Sequence, residues 1–363
     1  MSGAGDFDAA PCASAPSATW YVAAGATTRD ARELLALFNP FPDDVIVDIT
    51  FTTPEGVRSP PEFDGFVIPG QRVIAVDVGA VVSRHAHVSA SIVARSGRLV
   101  VDRLQTYDGS DPANAAGLAL TPAAPAPALV WNLPDGRYID GVREFVNVYN
   151  PSDATAEVDV EITLAPSDDP ALDIGVEPFR LTIAPRSFGQ VDVGAAPDRV
   201  PSDLGHATTV RSQNGVPVVA ERWVSAGSPA TTSGLAATLG SPVVSTRWLL
   251  AVGGSTGGES EYLVVVNPSV DTIARVSITA PTPSQDLAIA GLEDIEIPIG
   301  GRMAIDLGQF VNRTPLPLVI DSTQPVIVER GLFLASGGFA LSLAVPSEPG
   351  AVVPDVDPGA GPS

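Results

Sequence analysis

Glu144-Phe-Val-Asn-Val-Tyr-Asn150-Pro151 follows Trp131 by 13 residues, and the same line is written twice more in the chain. The other versions are Trp20…Glu33-Leu-Leu-Ala-Leu-Phe-Asn39-Pro40 and Trp248…Glu261-Tyr-Leu-Val-Val-Val-Asn267-Pro268, so the tryptophans stand 111 and then 117 residues apart. A period of that length is a whole small domain rather than a solenoid turn, and three copies of one domain follow. Alternate residues of a strand face opposite sides. Leu35/Leu37, Val146/Val148 and Leu263/Val265 therefore share an aliphatic face, which reads as core. Proline donates no hydrogen bond and holds its predecessor extended, so each Asn-Pro ends its strand.

Further anchors recur in phase. Pro69…Asp77-Val78-Gly79, Pro185…Asp192-Val193-Gly194 and Pro298…Asp306-Leu307-Gly308 each give a proline, an aliphatic strand and a closing acid. A serine-containing strand and an acid-Arg pair come next: Ser96…Asp102-Arg103, Ser212…Glu221-Arg222 and Ser322…Glu329-Arg330. Each copy closes on a Gly-[Leu/Phe]-Ala segment at Gly117, Gly234 and Gly338. Val, Ile and Thr fall in short runs bounded by Pro, Gly, Asn and Asp, with no long 3.6-residue period. The expected fold is all-β: three tandem antiparallel β-sandwiches of the immunoglobulin or fibronectin-like class over 19–122, 123–241 and 242–347. A disordered spacer at 1–18 and a disordered acidic tail at 348–363 complete the organisation. The linkers Ser110 to Ala128 and Ser228 to Pro242 include closing segments, which points to a semi-rigid rod.

The net charge is −22 and all 20 basic residues are Arg. Binding to nucleic acid needs a basic stripe, and so acidic a chain repels phosphates and anionic lipid heads, so nucleic acid is excluded as a partner. Cys12 is alone, which rules out an intrachain disulfide, and no run of 18 apolar residues is present. The opening Met1-Ser-Gly-Ala-Gly reads as a start placed on a fragment, with a membrane anchor expected upstream; a native Met1 implies a cytoplasmic protein instead.

Chemistry-bearing patterns fail on context. Gly253-Gly-Ser255-Thr-Gly257 has the letters of a nucleophile elbow but lacks a following helix and a downstream His, and its sister loops differ. His85-Ala86-His87 has metal-ligand spacing without a third ligand. Pro42-Asp43-Asp44, Ser167-Asp168-Asp169-Pro170 and Asp355-Val-Asp357 lack the alternating acids and fixed Gly of a calcium loop. Asn312-Arg313-Thr314 is a formal glycosylation sequon. No cofactor, no metal and no catalytic residue are expected.

In the acid-Arg pair, neighbouring strand residues face opposite ways, so one charge points inward, where it needs a partner. Arg103, Arg222 and Arg330 are expected to tie down loop carbonyls or a carboxylate, with the repeated Glu33, Glu144 and Glu261 as candidates. Trp20, Trp131 and Trp248 read as core, and Asn39, Asn150 and Asn267 as structural strand ends. Trp223 differs, because its sister positions are Leu104 and Gly331. Filling a local gap is the simpler reading of Trp223; with Tyr138, from a loop peculiar to the second copy, it is also the candidate for ligand binding.

The run Trp-[Tyr/Leu]-[Val/Leu]-Ala-x-Gly…Asn-Pro…[Val/Ile]-x-Glu-Arg resembles the repeats of an uncharacterised family of surface proteins from high-GC Gram-positive bacteria, the actinobacteria. The resemblance spans Trp20 to Pro346 and departs from the pattern in having Asp102-Arg103 in the first copy. It implies single-span anchors carrying β-sandwich ectodomains, without enzymatic activity. The expected function is that of a non-enzymatic, extracytoplasmic cell-envelope protein, tethered through an anchor absent from this chain, acting as spacer or protein-interaction module. The alternative is a carbohydrate-binding protein taking a cell-wall glycan in one repeat.

Overall fold

The computed structural model describes residues 7–111, 116–167, 175–202, 204–281 and 286–347. Unit 1 contains β1 (Thr19–Val22), β2 (Ala31–Asn39), β3 (Val45–Thr53), β4 (Gly56–Arg58), β5 (Phe66–Ile68), β6 (Arg72–Asp77), β7 (Ser89–Ser96), β8 (Val100–Tyr107) and β9 (Gly117–Pro122). One sheet runs β1-β7-β3 with β4 and β5 on β3, the other runs β6-β2-β8-β9, and every pairing is antiparallel. Leu35, Leu37, Ile49, Ile92 and Trp20 fill the space between the two sheets.

Unit 2 repeats this plan with β10 (Val130–Gly136), β11 (Val142–Asn150), β12 (Ala156–Leu164), β13 (Phe179–Ile183), β14 (Ser187–Asp192), β15 (His206–Ser212), β16 (Val219–Ala226) and β17 (Gly234–Leu239). Its sheets are β10-β15-β12-β13 and β14-β11-β16-β17. Unit 3 has β18 (Ser245–Leu250), β19 (Glu259–Val266), β20 (Ala274–Pro281), β21 (Asp286–Ala288), β22 (Ile295–Ile297), β23 (Arg302–Asp306), β24 (Leu318–Leu334), β25 (Phe339–Leu343) and β26 (Val345–Pro346). Here the strands that are separate in the other units run on as the single 17-residue β24. Its first part pairs with β18 and β20 and its last part with β19 and β25, so it passes from one sheet to the other near Pro325.

The repeated letters do the same work three times. Each indole is buried, and its N–H donates across the core to a carbonyl: Trp20 to Leu99 at 2.8 Å, Trp131 to Val218 at 2.7 Å and Trp248 to Val326 at 3.0 Å. Asn39 and Asn150 end β2 and β11 and Asn267 directly follows β19, all three fully buried. Their amides donate to Ile68, Ile183 and Ile297 carbonyls, while their side-chain oxygens accept from the backbone N–H of Phe41, Ser152 and Ser269. One side chain thus stitches the strand end to the turn that the following proline starts.

The units are not strung as a rod. Leu120 of β9, Leu239 of β17 and Leu343 of β25 line one small cavity together with Ala10 and Pro11, so the three closing strands converge on a common centre. Thr121 donates to Ala237 O and Thr238 to Leu341 O, at 3.3 and 3.2 Å, which joins neighbouring closing strands in sequence. Residues 7–18, expected as spacer, are docked: Asp8 accepts from the free edge N–H of Leu120 at 2.6 Å, and Ser17 forms a bridge with Leu99. Covering an unpaired strand edge is the physical reason that segment is ordered. The tail 348–363 and residues 1–6 lie outside the described residues.

Candidate functional site: the unit junctions

Adjacent units meet through one contact made twice. Register aligns Leu34, Phe145 and Tyr262, and aligns Leu104, Trp223 and Gly331, on the outer face of the β2-, β11- and β19-containing sheets. In units 2 and 3 that face lies against the preceding unit. Tyr149 of unit 2 hydrogen bonds Ser91 at 2.9 Å and Thr52 at 3.3 Å in unit 1, and Phe188 stacks on His87 with ring centroids 3.5 Å apart. At the equivalent place in unit 3, Arg302 pairs with Asp135 of unit 2 at 3.3 Å and donates to Pro134 O.

The acid-Arg pair lies at the centre of both contacts. Arg103 donates to Ala24 O and to Thr121 Oγ1 within its own unit, and pairs with Glu221 of the next. Arg222 pairs likewise with Glu329 of unit 3. The carboxylates also accept from the preceding unit's backbone: Glu221 from Ala24 N–H, Glu329 from Asp135 N–H at 2.9 Å. The sequence reading expected loop carbonyls or a carboxylate as the arginines' partners; the carboxylate found in units 1 and 2 comes from the following unit's strand, which spacing within one copy does not reveal. Arg330 donates to Val252 O and to Ser342 Oγ, and it pairs with Glu261 of its own unit at 3.9 Å.

The other repeated carboxylate serves a loop. Glu144 accepts from Arg137 N–H at 2.7 Å and contacts His206 at 3.2 Å, and Glu261 accepts from Gly254 N–H at 2.9 Å. In unit 1 the Gln105 side chain takes that place, accepting from Ala26 N–H at 2.9 Å, and both Glu33 oxygens are left without a hydrogen-bond partner among the described residues. Burial raises the Glu33 carboxyl to about 8, opposed by Arg103 and reinforced by Glu221. Burial raises Glu261 to about 7, with Arg330 opposing.

Gly25, Gly136 and Gly253, each five residues after the tryptophan, exist for this carboxyl. A Cβ on Gly136 falls on the His206 ring and 2.9 Å from Glu144 Oε1, and Cβ atoms on Gly25 and Gly253 fall on Glu33 and Glu261. Gly136→Ala is expected to cost about 1–3 kcal/mol by overpacking, read as a lower thermal midpoint; an unchanged midpoint removes this account of the glycines.

Clefts open beside both charge pairs. Between units 1 and 2 the cavity is about 190 Å³, with Tyr107, His87, Phe145 and Trp223 in its wall. Between units 2 and 3 it is about 410 Å³, lined by Asp135, Arg137, Val224, Tyr262, Phe333 and Phe339. Arg137 lies over the rings of Tyr262 and Phe333 at 5.7 and 5.6 Å, and Phe333 stacks on Phe339.

The two aromatic candidates are not brought together. Trp223 is 9% exposed, donates to Glu221 at 2.6 Å and sits beneath Arg103 at 4.8 Å, so its bulk closes the first junction. Tyr138 is half-buried against the unit 2 core beside Gly194. His85 and His87 are also parted: His85 pairs with Glu55 at 3.0 Å, while His87 is buried under Phe188 and burial lowers it to about 4. Ser255 is bridged to Arg313 in a turn, and Asp44 accepts from Gly70 N–H. Asp168, Asp169, Asp355 and Asp357 lie outside the described residues. Sequence reasoning missed Gln105, Asp135 and Arg302; the failure of Gln105 to match Val224 and Leu332 was the available signal.

Two solved structures resemble parts of the chain. One is titled as the crystal structure of Thermotoga maritima 1070, with 20% identity and a TM-score of 0.27 over 32% of this chain and 94% of that one. The other, the Anabaena sensory rhodopsin transducer, has 27% identity and a TM-score of 0.22 over 26% of this chain and 80% of that one. No curated protein matches. Residues 4–232 match a family described as a family of unknown function, DUF5719.

Proposed function

The chain belongs to the DUF5719 family, and from that premise we propose that it is a non-enzymatic interaction module of the cell envelope, acting outside the cytoplasm. The supporting observation is the use made of its buried polar groups. The repeated Arg of units 1 and 2 and the acids of units 2 and 3 hold one unit against the next, so the shared chemistry of the copies serves assembly. The copies differ at the walls of the junction clefts, and the larger cleft, between units 2 and 3, combines an Arg stacked on aromatic rings with an apolar floor. Such a wall suits an apolar or aromatic side chain from a protein partner. The extracytoplasmic placement rests on the resemblance of the repeats to anchored surface proteins.

A second reading, carbohydrate binding, draws on the same Tyr262 and Phe333 rings, because flat aromatic faces also stack on sugars. Envelope proteins and cell-wall glycans presented in parallel to the wild type and to Tyr262→Ala separate the two. A protein ligand weakened by at least about tenfold, the scale of an aromatic hot spot, supports the module. A glycan weakened to that extent supports the second reading, and binding of both classes indifferent to the substitution removes the cleft from consideration.

A further inference from the structure

The junction between units 1 and 2 and the junction between units 2 and 3 are built from the same positions, and two of those positions carry rings in the first and none in the second. Register places Tyr107 of unit 1 with Ala226 of unit 2, because Tyr107 pairs with Ala31 as Ala226 pairs with Val142. It places Trp223 of unit 2 with Gly331 of unit 3, opposite Phe145 and Tyr262. Tyr107 and Trp223 meet edge to face across the first junction, with centroids 6.4 Å apart. Their counterparts across the second are a methyl group and a hydrogen. The missing rings account for the difference between the clefts, about 190 Å³ at the first junction and about 410 Å³ at the second. The larger one falls in the range of about 300–1,000 Å³ typical of ligand sites. Phe333 leans over Gly331, its Cε2 3.0 Å from where a Cβ would stand, and with Tyr262 and Phe339 it walls the cleft without filling it.

The polar contact of the missing indole is also left open. In the first junction the Trp223 N–H donates to Glu221 at 2.6 Å. In the second, a buried acceptor stands unused at that place. Asp135 is 1% exposed, its Oδ1 is shared by Arg302 at 3.3 Å and Arg137 at 3.6 Å, and its Oδ2 has no hydrogen-bond partner among the described residues. Oδ2 lies 3.4 Å from the position of a Cβ on Gly331, the point from which the indole springs in the sister junction. An unpaired carboxylate oxygen in such a site is costly, so a donor arriving there gains more than its ring contacts alone. The guanidinium groups of Arg137, Arg222 and Arg302 already lie close enough to act on one another, so the donor that fits is neutral rather than a fourth cation.

We propose that the cleft between units 2 and 3 takes an indole, the tryptophan side chain of a partner protein, with its ring among Tyr262, Phe333 and Phe339 and its N–H donated to Asp135 Oδ2. The partner supplies from outside what Trp223 supplies from within at the first junction. This rests on the reading of the cleft as a protein-binding site and gives that site its ligand.

Titration of the full chain with N-acetyltryptophanamide, followed by saturation-transfer NMR on the ligand, tests it. Saturable binding is expected. The N-methylindole analogue keeps the ring and loses the donor, and it is expected to bind at least about tenfold more weakly, as is N-acetylphenylalaninamide, the scale of a lost hydrogen bond to a charged group. Ala226→Tyr restores the ring that unit 1 has at Tyr107, and it is expected to fill the cleft and abolish binding with the thermal midpoint retained. Equal binding of the three compounds, or no binding of N-acetyltryptophanamide at millimolar concentration, overturns the indole assignment. So does binding that survives Ala226→Tyr at an unchanged midpoint. The compound series needs no substitution, so it decides the matter even if that variant does not fold. The wider reading fails separately, when binding of envelope proteins is indifferent to Tyr262→Ala; a partner weakened by that substitution beside a flat compound series overturns the indole and keeps the docking site.

Discussion

Arg222→Met is expected to remove about 3–5 kcal/mol of stability, the cost of taking one partner from a buried ion pair. Arg222 and Glu329 are both fully buried, and Glu144 and Asp135 also act on the guanidinium. Without it, the Glu329 carboxyl loses its counterion in an interior that already pushes it up. Methionine fills a similar volume, so loss of charge rather than loss of packing dominates. Guanidinium unfolding should show the loss, and the deficit should shrink at acid pH as Glu329 protonates. The double variant Arg222→Met with Glu329→Leu should recover much of it, since an apolar pair of similar size leaves no orphaned charge. No change in thermal stability for Arg222→Met would falsify the structural role given to the pair.

The second large effect is a pH dependence centred on Glu33. In the folded protein its carboxyl keeps its proton up to about pH 8, whereas in the unfolded chain it ionises near 4.5. Between those values the folded state binds more protons than the unfolded one, so stability falls as pH rises and levels off above about 8. The interval, about 3.5 pH units at 1.36 kcal/mol each, gives on the order of 3–5 kcal/mol. Glu33→Gln removes that dependence: its stability relative to wild type should be lowest near pH 4.5 and rise steadily to pH 8. The amide's own need for partners shifts the whole curve without tilting it, so the slope is the quantity to measure. Parallel curves for the two proteins would show that Glu33 is not held neutral.

The sandwich architecture was legible because its determinants are local and repeated. A buried indole, an aliphatic alternation and an Asn-Pro strand end each act within one unit, and three copies in phase separate them from accident. The partner of Arg103 was not legible. Glu221 lies 118 positions away in the next copy, and a repeat read one copy at a time offers Glu33 as the nearer acid. The surroundings of Trp223 were hidden for a related reason. Its absence from the sister positions pointed to a local gap or a ligand, and the two junctions are filled differently, by Trp223 beneath Arg103 in one and by Arg302 on Asp135 in the other. The convergence of the closing strands was equally hidden, since it depends on the angle at which sandwiches pack and not on the residues within them.

The direction of the Arg-to-Glu contact carries a consequence for biosynthesis. Domains leaving the ribosome fold from the N-terminus onward, and here each upstream unit supplies the cation while the following one supplies the anion. Unit 1 therefore emerges with a guanidinium aimed at a counterion not yet translated, and reaches its final form only once the strand carrying Glu221 has been made. A nascent chain stalled between these two points displays an uncompensated charge and an uncovered flank.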